Sequence, residues 1–488
     1  MRKHMSLSIR FTLAALLVIG TGLGAQTPDR SRPPAPGPTP ALTLPPIEKR
    51  QLSNGLPVWI VEQHEVPLAS ITLLSSTAGS SQDPRGQYGV ASLTAAMLAE
   101  GAGMRSSLEI ADALDFLGAA LSASSGVDSA AVRLRAPVAK LADALPIMAD
   151  VALRPTFPAE ELERLRKERL TSLLQSRDSP ETIVGLAFSR VVYGPSHRYG
   201  TAFMGTADTI KAFTPEMLRA FYQSAYRPDS STLLVVGDVR AATVLPMLES
   251  QFGSWRANGT PPPRTPPTPP PPRTRREIYL VDKPGAPQTQ IRIGGVGVPR
   301  STPDFFPIQV MNTILGGAFT SRLNLNLREK HGYTYGARTN ISYRRGPGPL
   351  AAGAGVFTAK TDSSITEFLN ELKEIRGPRP LTPEETEAAR NAIVRGYPRR
   401  FETIDATIGV LADLALYNLP DSEIGNFLSQ IGKVKPEDVT RVASKYLVPE
   451  QLAVVVVGDL AKVRAGIEAL HLGPITVLDA DGKPVTTP

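Results

Sequence analysis

Arg328 and Tyr335 stand seven residues apart in the run Leu327 to Gly336, LREKHGYTYG. A guanidinium presents five N–H donors in a fixed plane and a phenol adds one O–H. The pair could therefore hold a peptide carbonyl, and then the oxyanion that forms when water attacks it. Well-aligned donors of this kind are worth roughly 3 kcal/mol each to a transition state. The same residues also read as a surface helix arginine paired with a nearby acid and a half-buried strand tyrosine. Tyr333, five residues from Arg328, is a weaker candidate for the same role.

Other chemistries lack their residues. The five histidines, His4, His64, His197, His331 and His471, are scattered singly, and there is no cysteine, so neither a thiolate site nor a disulfide is available. No G-x-S-x-G elbow occurs, and Ser92 has no neighbouring histidine to activate it. Leu315-Gly316-Gly317 lacks the context of a phosphate loop and suits a close passage of two backbones instead. The formal charge of +7 over 488 residues includes Arg2, Lys3 and Arg10 at the start of the chain. That excess is too small and too scattered for a nucleic-acid partner.

The elements that must position Arg328 and Tyr335 follow from periodicity. Ile308, Met311, Ile314, Leu315, Leu323 and Leu327 recur at helical spacing over Phe305 to Lys330, whereas Tyr335, Ala337, Thr339, Ile341 and Tyr343 alternate and predict a strand. On a larger scale the chain repeats itself. Phe213-Thr214-Pro215-Glu216 opens a helical pattern leading to the strand Ser231 to Val236. Val434-Lys435-Pro436-Glu437 does the same before Leu452 to Val457, at an offset of 221 residues. Two strand-like runs also begin each half, Val58 to Val61 with Leu68 to Ser75, and Ile278 to Val281 with Thr289 to Gly294. Strands and helices in this order predict a duplicated α+β layered domain.

Between the halves lies PPPRTPPTPPPP at 261–272, nine prolines that favour polyproline II and would span about 37 Å at roughly 3.1 Å per residue. Residues 1–25 read as a secretory signal, a basic start followed by the apolar run Phe11 to Gly22, too short to span a bilayer; a retained anchor is the alternative. The expected plan is then a leader at 1–25, a Pro-rich tail at 26–46, a first domain at 47–260, a linker at 261–276, a second domain at 277–475 and a tail at 476–488. A leader implies a periplasmic or secreted protein.

The order Leu315-Gly316-Gly317, Ser321-Arg322-Leu323, Leu327-Arg328-Glu329-Lys330 and Gly332-Tyr333-Thr334-Tyr335-Gly336 resembles the insulinase/pitrilysin family of zinc peptidases. Segments such as Leu52 to Val58, Tyr193-Gly194 and Tyr199-Gly200-Thr201 extend the resemblance from about Ile47 to about Pro474. Active members carry HxxEH on a helix, two zinc ligands and a general base, with a further Glu about 75 residues on. The matching helix here runs from Gly89-Val90-Ala91 to Met97-Leu98 and has Ser92, Ala95 and Ala96 where His, Glu and His belong. Arg177-Asp178-Ser179-Pro180 resembles the turn after the third ligand, placing Thr171 or Ser172 at that Glu.

The resemblance implies a clamshell of two homologous α+β domains, no zinc in this chain and no peptidase activity alone. It further implies a heterodimer in which a homologous, HxxEH-bearing subunit brings zinc and cleaves a peptide held by Arg328 and Tyr335. The alternative is a catalytically inactive peptide-binding or scaffold protein of the same fold.

Overall fold

The structure is a computed structural model describing residues 46–257, 259–262 and 266–485. The expected leader, nearly all of the Pro-rich tail and the final residues 486–488 lie outside the described residues.

The first half contains β1 (Glu48–Gln51), β2 (Pro57–Glu62), β3 (Leu68–Ser75), a short hairpin of β4 (Gly101–Ala102) and β5 (Arg105–Ser106), then β6 (Ala120–Ser125), β7 (Ala130–Pro137) and, after a run of helices, β8 (Ser231–Gly237). The second half supplies β9 (Glu277–Asp282), β10 (Gln288–Val296), β11 (Arg338–Ile341), β12 (Pro349–Phe357), β13 (Ala453–Gly458) and β14 (Ile475–Leu478). Each half builds one six-stranded sheet, in the orders β1-β2-β8-β3-β7-β6 and β14-β9-β13-β10-β12-β11. The repeat is visible in direction as well as order. β8 runs parallel to β2 and antiparallel to β3, as β13 runs parallel to β9 and antiparallel to β10. Only one edge departs from it, since β1 is antiparallel to β2 whereas β14 is parallel to β9. The fold is therefore the duplicated α+β architecture expected from the sequence.

The central strands read as unbroken apolar runs because both of their faces are covered. In β13, Val454 and Val456 enter the core made with the second half's own helices, while Ala453, Val455 and Val457 pack against Ile183, Val184 and Phe188 of the first half. In β8 the arrangement is mirrored. Leu233 and Val235 join the first core, and Leu234 and Val236 meet Ile404, Ile408 and Leu411 of the second half. Each half thus lends one helix, Pro180–Tyr193 or Ile404–Tyr417, to the open face of the other's sheet. Both helices start on a hydroxyl cap, with Ser179 accepting from Thr182 N–H and Thr403 from Ala406 N–H.

Polar contacts lock the same junction. Arg345 N–H donates to Asp128 Oδ2 at 2.8 Å, Gly346 N–H to Tyr199 Oη at 3.1 Å, and Tyr199 Oη to Asp128 Oδ1 at 3.0 Å. Residues 266–276 of the proline strap form neither helix nor strand, and the Thr268 carbonyl lies 3.0 Å from His197 Nε2.

Candidate functional site

Two regions correspond to the residues singled out by the sequence. In the first half, helix Val90–Met97 carries Ser92, Ala95 and Ala96. Its N-terminus is held by the buried carboxylate of Asp83, which accepts from Gly89 N–H at 2.7 Å and Ala91 N–H at 2.9 Å. Gly89 has φ +94°, and a Cβ there would stand 2.5 Å from the Met204 carbonyl oxygen, so glycine is required twice over. Burial pushes the Asp83 carboxyl up to about 7, opposed by its two backbone donors and by the charge of Arg198.

Ser92 is buried and fully engaged. Its Oγ donates to the Gly89 carbonyl at 3.1 Å and accepts from Arg169 Nη1 at 2.8 Å, while Arg169 Nη2 donates to the Ser92 carbonyl at 2.8 Å. Arg169 lies on helix Ala159–Ser176, the helix that also carries Thr171 and Ser172. Those two side chains are exposed, so the structure brings Arg169, and not Ser172, to Ser92. Desolvation pulls the guanidinium down to about 10, which still leaves it charged at neutral pH.

These residues do not fit zinc. Ser92, Ala95 and Ala96 offer no imidazole or carboxylate, and the Arg169 guanidinium stands against Ser92, where a second cation would be repelled. Among the described residues, no three His, Asp or Glu side chains are grouped to hold a metal anywhere.

In the second half, the helical pattern from Phe305 is interrupted. An α-helix at Phe305–Asn312 passes into a π-helical turn at Thr313–Gly317, the chain extends at Ala318, and helix restarts at Arg322–Asn324 before a second π-helical turn at Leu325–Lys330. The break follows from close packing, because Gly316 meets the backbone of Thr339 with no room for a Cβ. Arg328 lies in the second π turn, an irregularity that recurs at functional sites. Its guanidinium sits 4.5 Å from the Phe319 ring and its Nε 3.3 Å from Glu329 Oε1, with 38 % of the side chain exposed.

Tyr335 precedes the strand instead of beginning it. The alternating pattern predicts pairing from 335, but β11 starts at Arg338. Thr334 takes over the local hydrogen bonding, with Oγ1 donating to the Gly355 carbonyl at 2.7 Å and accepting from Gly336 N–H at 3.1 Å. Tyr335 is left 78 % exposed, its ring 6.1 Å from that of Phe357, and its hydroxyl makes no hydrogen bond among the described residues. The turn between the two residues is closed by Gly332 N–H to the Arg328 carbonyl at 3.0 Å and Tyr333 N–H to the Leu327 carbonyl at 2.8 Å. Tyr333 stacks on His331, with ring centroids 4.9 Å apart.

The side chains that hold this pair escaped the sequence reading. Asn324 Nδ2 donates to the carbonyl of Phe319 at 2.7 Å, and its Oδ1 accepts from Ala337 N–H at 3.2 Å. One buried amide therefore ties the residue under Arg328 to the segment after Tyr335. Arg322 anchors the restarted helix by a two-pronged pairing with Glu385 at 2.9 and 2.8 Å, and Asn326 bonds Glu367 and Glu371. A usable signal existed in part, since Arg322 and Asn324 stand at every-other spacing before the Arg328 run, but their partners are distant in sequence.

Comparison with known proteins identifies the family of this fold. A profile described as Insulinase (Peptidase family M16) matches residues 59–193, and one described as Peptidase M16 inactive domain matches residues 212–393. An uncharacterised zinc protease of Streptomyces coelicolor is 24% identical over 353 residues, covering 72% of this chain and 76% of that one. The uncharacterised zinc protease YmxG of Bacillus subtilis is 24% identical over 330 residues, 67% of this chain and 78% of its own. The crystal structure of a peptidase M16 inactive domain from Pseudomonas fluorescens superposes with a TM-score of 0.76 at 26% identity, covering 84% of this chain and 98% of that one. A protease from Helicobacter pylori shares the fold, with a TM-score of 0.78 at 20% identity over 85% of this chain and all of its own. The chain belongs to the insulinase family, peptidase family M16, as a member that lacks the family's zinc site.

Proposed function

We propose that this chain is the non-catalytic, substrate-holding subunit of a heteromeric zinc peptidase, acting outside the cytoplasm. Arg328 and Tyr335 enter the active site of a homologous HxxEH-bearing partner, which brings the zinc and cleaves the peptide bond. The observation that carries this reading is the state of the Tyr335 hydroxyl, exposed and without a hydrogen-bond partner among the described residues, beside a half-exposed Arg328. An exposed phenol and a half-exposed guanidinium keep their donors accessible to a bound peptide. The Tyr335 hydroxyl and the Arg328 N–H groups not turned to Glu329 can bond a peptide carbonyl and strengthen that bond as charge develops on its oxygen.

An extended peptide suits the site, because β11 is the outermost strand of its sheet and offers main-chain groups to an added strand. The test is reconstitution. The purified chain is combined with its zinc-bearing homologue, and peptide cleavage is followed for the native chain and for Arg328→Ala. Loss of cleavage with intact assembly is expected. Unchanged cleavage in an intact assembly would leave the chain as a scaffold.

A further inference from the structure

Beside Tyr335 a cavity of about 550 Å³ opens between β10, β12 and β11 and the first half's helix Pro180–Tyr193. Its floor is β12, whose residues on this face are Gly355, Gly353 and Ala351, so the middle of the trough carries almost no side chain. The walls are polar. Arg292 on β10 and Arg338 on β11 both pair in register with Gly353, which places them on one face of the sheet, either side of the missing side chain. At a strand spacing of about 4.8 Å their Cα atoms are roughly 10 Å apart. Gly185 of the covering helix makes room for Arg292, whose Nη1 lies 3.4 Å from where a Cβ on that residue would stand.

Arg344 supplies a third guanidinium, stacked 4.5 Å from the Tyr199 ring, with a buried Nη1 that has no hydrogen-bond partner among the described residues. Against these three cations the cavity lining holds one carboxylate, Glu181. None of the three arginines forms an ion pair among the described residues, although burial penalises the charge of Arg292. Unpaired guanidinium groups around a narrow trough are arranged to receive an anion that can accept two parallel N–H bonds.

We propose that this trough is a carboxylate-recognition subsite that gives the clamp a preference for peptides carrying an acidic group, the carboxylate lying between Arg292 and Arg338. The inference rests on the peptide-holding role of Tyr335, which lines the same cavity. The carboxylate can come from an Asp or Glu side chain or from the peptide's C-terminus.

The test is fluorescence anisotropy with the full chain and three labelled peptides of equal length. One has Asp at alternate positions and an amidated C-terminus, one replaces each Asp by Asn and keeps a free C-terminal carboxylate, and one has Asn with an amidated C-terminus. At least one carboxylate-bearing peptide should bind roughly tenfold more tightly than the third, and which one it is identifies the source. Arg338→Gln, at an exposed position on the edge strand, should remove most of that advantage, as should Arg292→Gln. Equal binding of the three peptides, or an advantage that survives both substitutions, overturns the subsite and leaves the peptide-holding role standing. Binding of none overturns both.

Discussion

Arg169 donates to both oxygens of Ser92, from Nη1 to Oγ and from Nη2 to the carbonyl, each at 2.8 Å. Ser92, which stands where the resemblance expects the first zinc ligand, is thus engaged by a cationic side chain and is not an empty socket. Restoring the residue types on this helix by Ser92→His, Ala95→Glu and Ala96→His is expected to give no stoichiometric zinc by elemental analysis while Arg169 remains. Adding Arg169→Leu should raise the zinc content. Full loading with Arg169 in place would show that the guanidinium does not block the site. Ser92→Ala alone strands a buried donor and should lower stability by about 1–3 kcal/mol, seen as a lower urea midpoint.

Arg328 and Tyr335 should matter to cleavage and hardly at all to folding. Both are substantially exposed, so Arg328→Ala and Tyr335→Phe are expected to change stability by no more than about 0.5 kcal/mol. In the reconstituted peptidase each should lower kcat by roughly a hundredfold, the usual loss for one donor to a developing oxyanion. Thermal melts and steady-state kinetics on the same preparations separate the two effects.

Asn324 is a positioning residue for that pair. Asn324→Ala removes both its bonds, to the Phe319 carbonyl and from Ala337 N–H, and should cost about 1–3 kcal/mol of stability. Asn324→Asp keeps an acceptor for Ala337 but loses the donor to Phe319. If Asn324 acts by aligning Arg328 and Tyr335, Asp should restore part of kcat at unchanged KM. A purely structural role would restore stability without moving kcat.

Asp83 makes the stability of the first half depend on pH. Burial raises its carboxyl from an ordinary value of 3.8 to about 7, so the folded chain binds this proton more tightly than the unfolded chain. The contribution is therefore fully present below the unfolded value, declines as pH rises from about 4 to about 7, and is level above that. Urea midpoints at pH 5 and pH 8 should fall more for the native chain than for Asp83→Asn, which does not titrate. An equal fall in both would show that Asp83 ionises normally.

Much of the fold was legible because it is written in local pattern. The runs Ser231–Gly237 and Ala453–Gly458 are strands as their apolar sequences require, and the Thr214-Pro215 and Lys435-Pro436 starts are helix N-termini. The break after Gly317 and the late start of β11 were not legible. Both depend on distant partners, Thr339 against Gly316 and Gly355 against Thr334, which act over the local preference for a continuous helix and an early strand.

The sequence by itself determined that the chain is a duplicated α+β protein, that Ser92, Ala95 and Ala96 stand where the resemblance expects His, Glu and His, and that Arg328 and Tyr335 stand seven residues apart. Those properties depend on residue identity and short-range order. Only the tertiary structure decided that each half covers the other's sheet, that Arg169 and not Ser172 meets Ser92, and that Asn324 links the segments carrying Arg328 and Tyr335. The physical reason is the same in each case. Buried hydrogen bonds and two-sided packing select partners by proximity in space, and residues 77 apart, such as Ser92 and Arg169, meet only once the helices carrying them are packed.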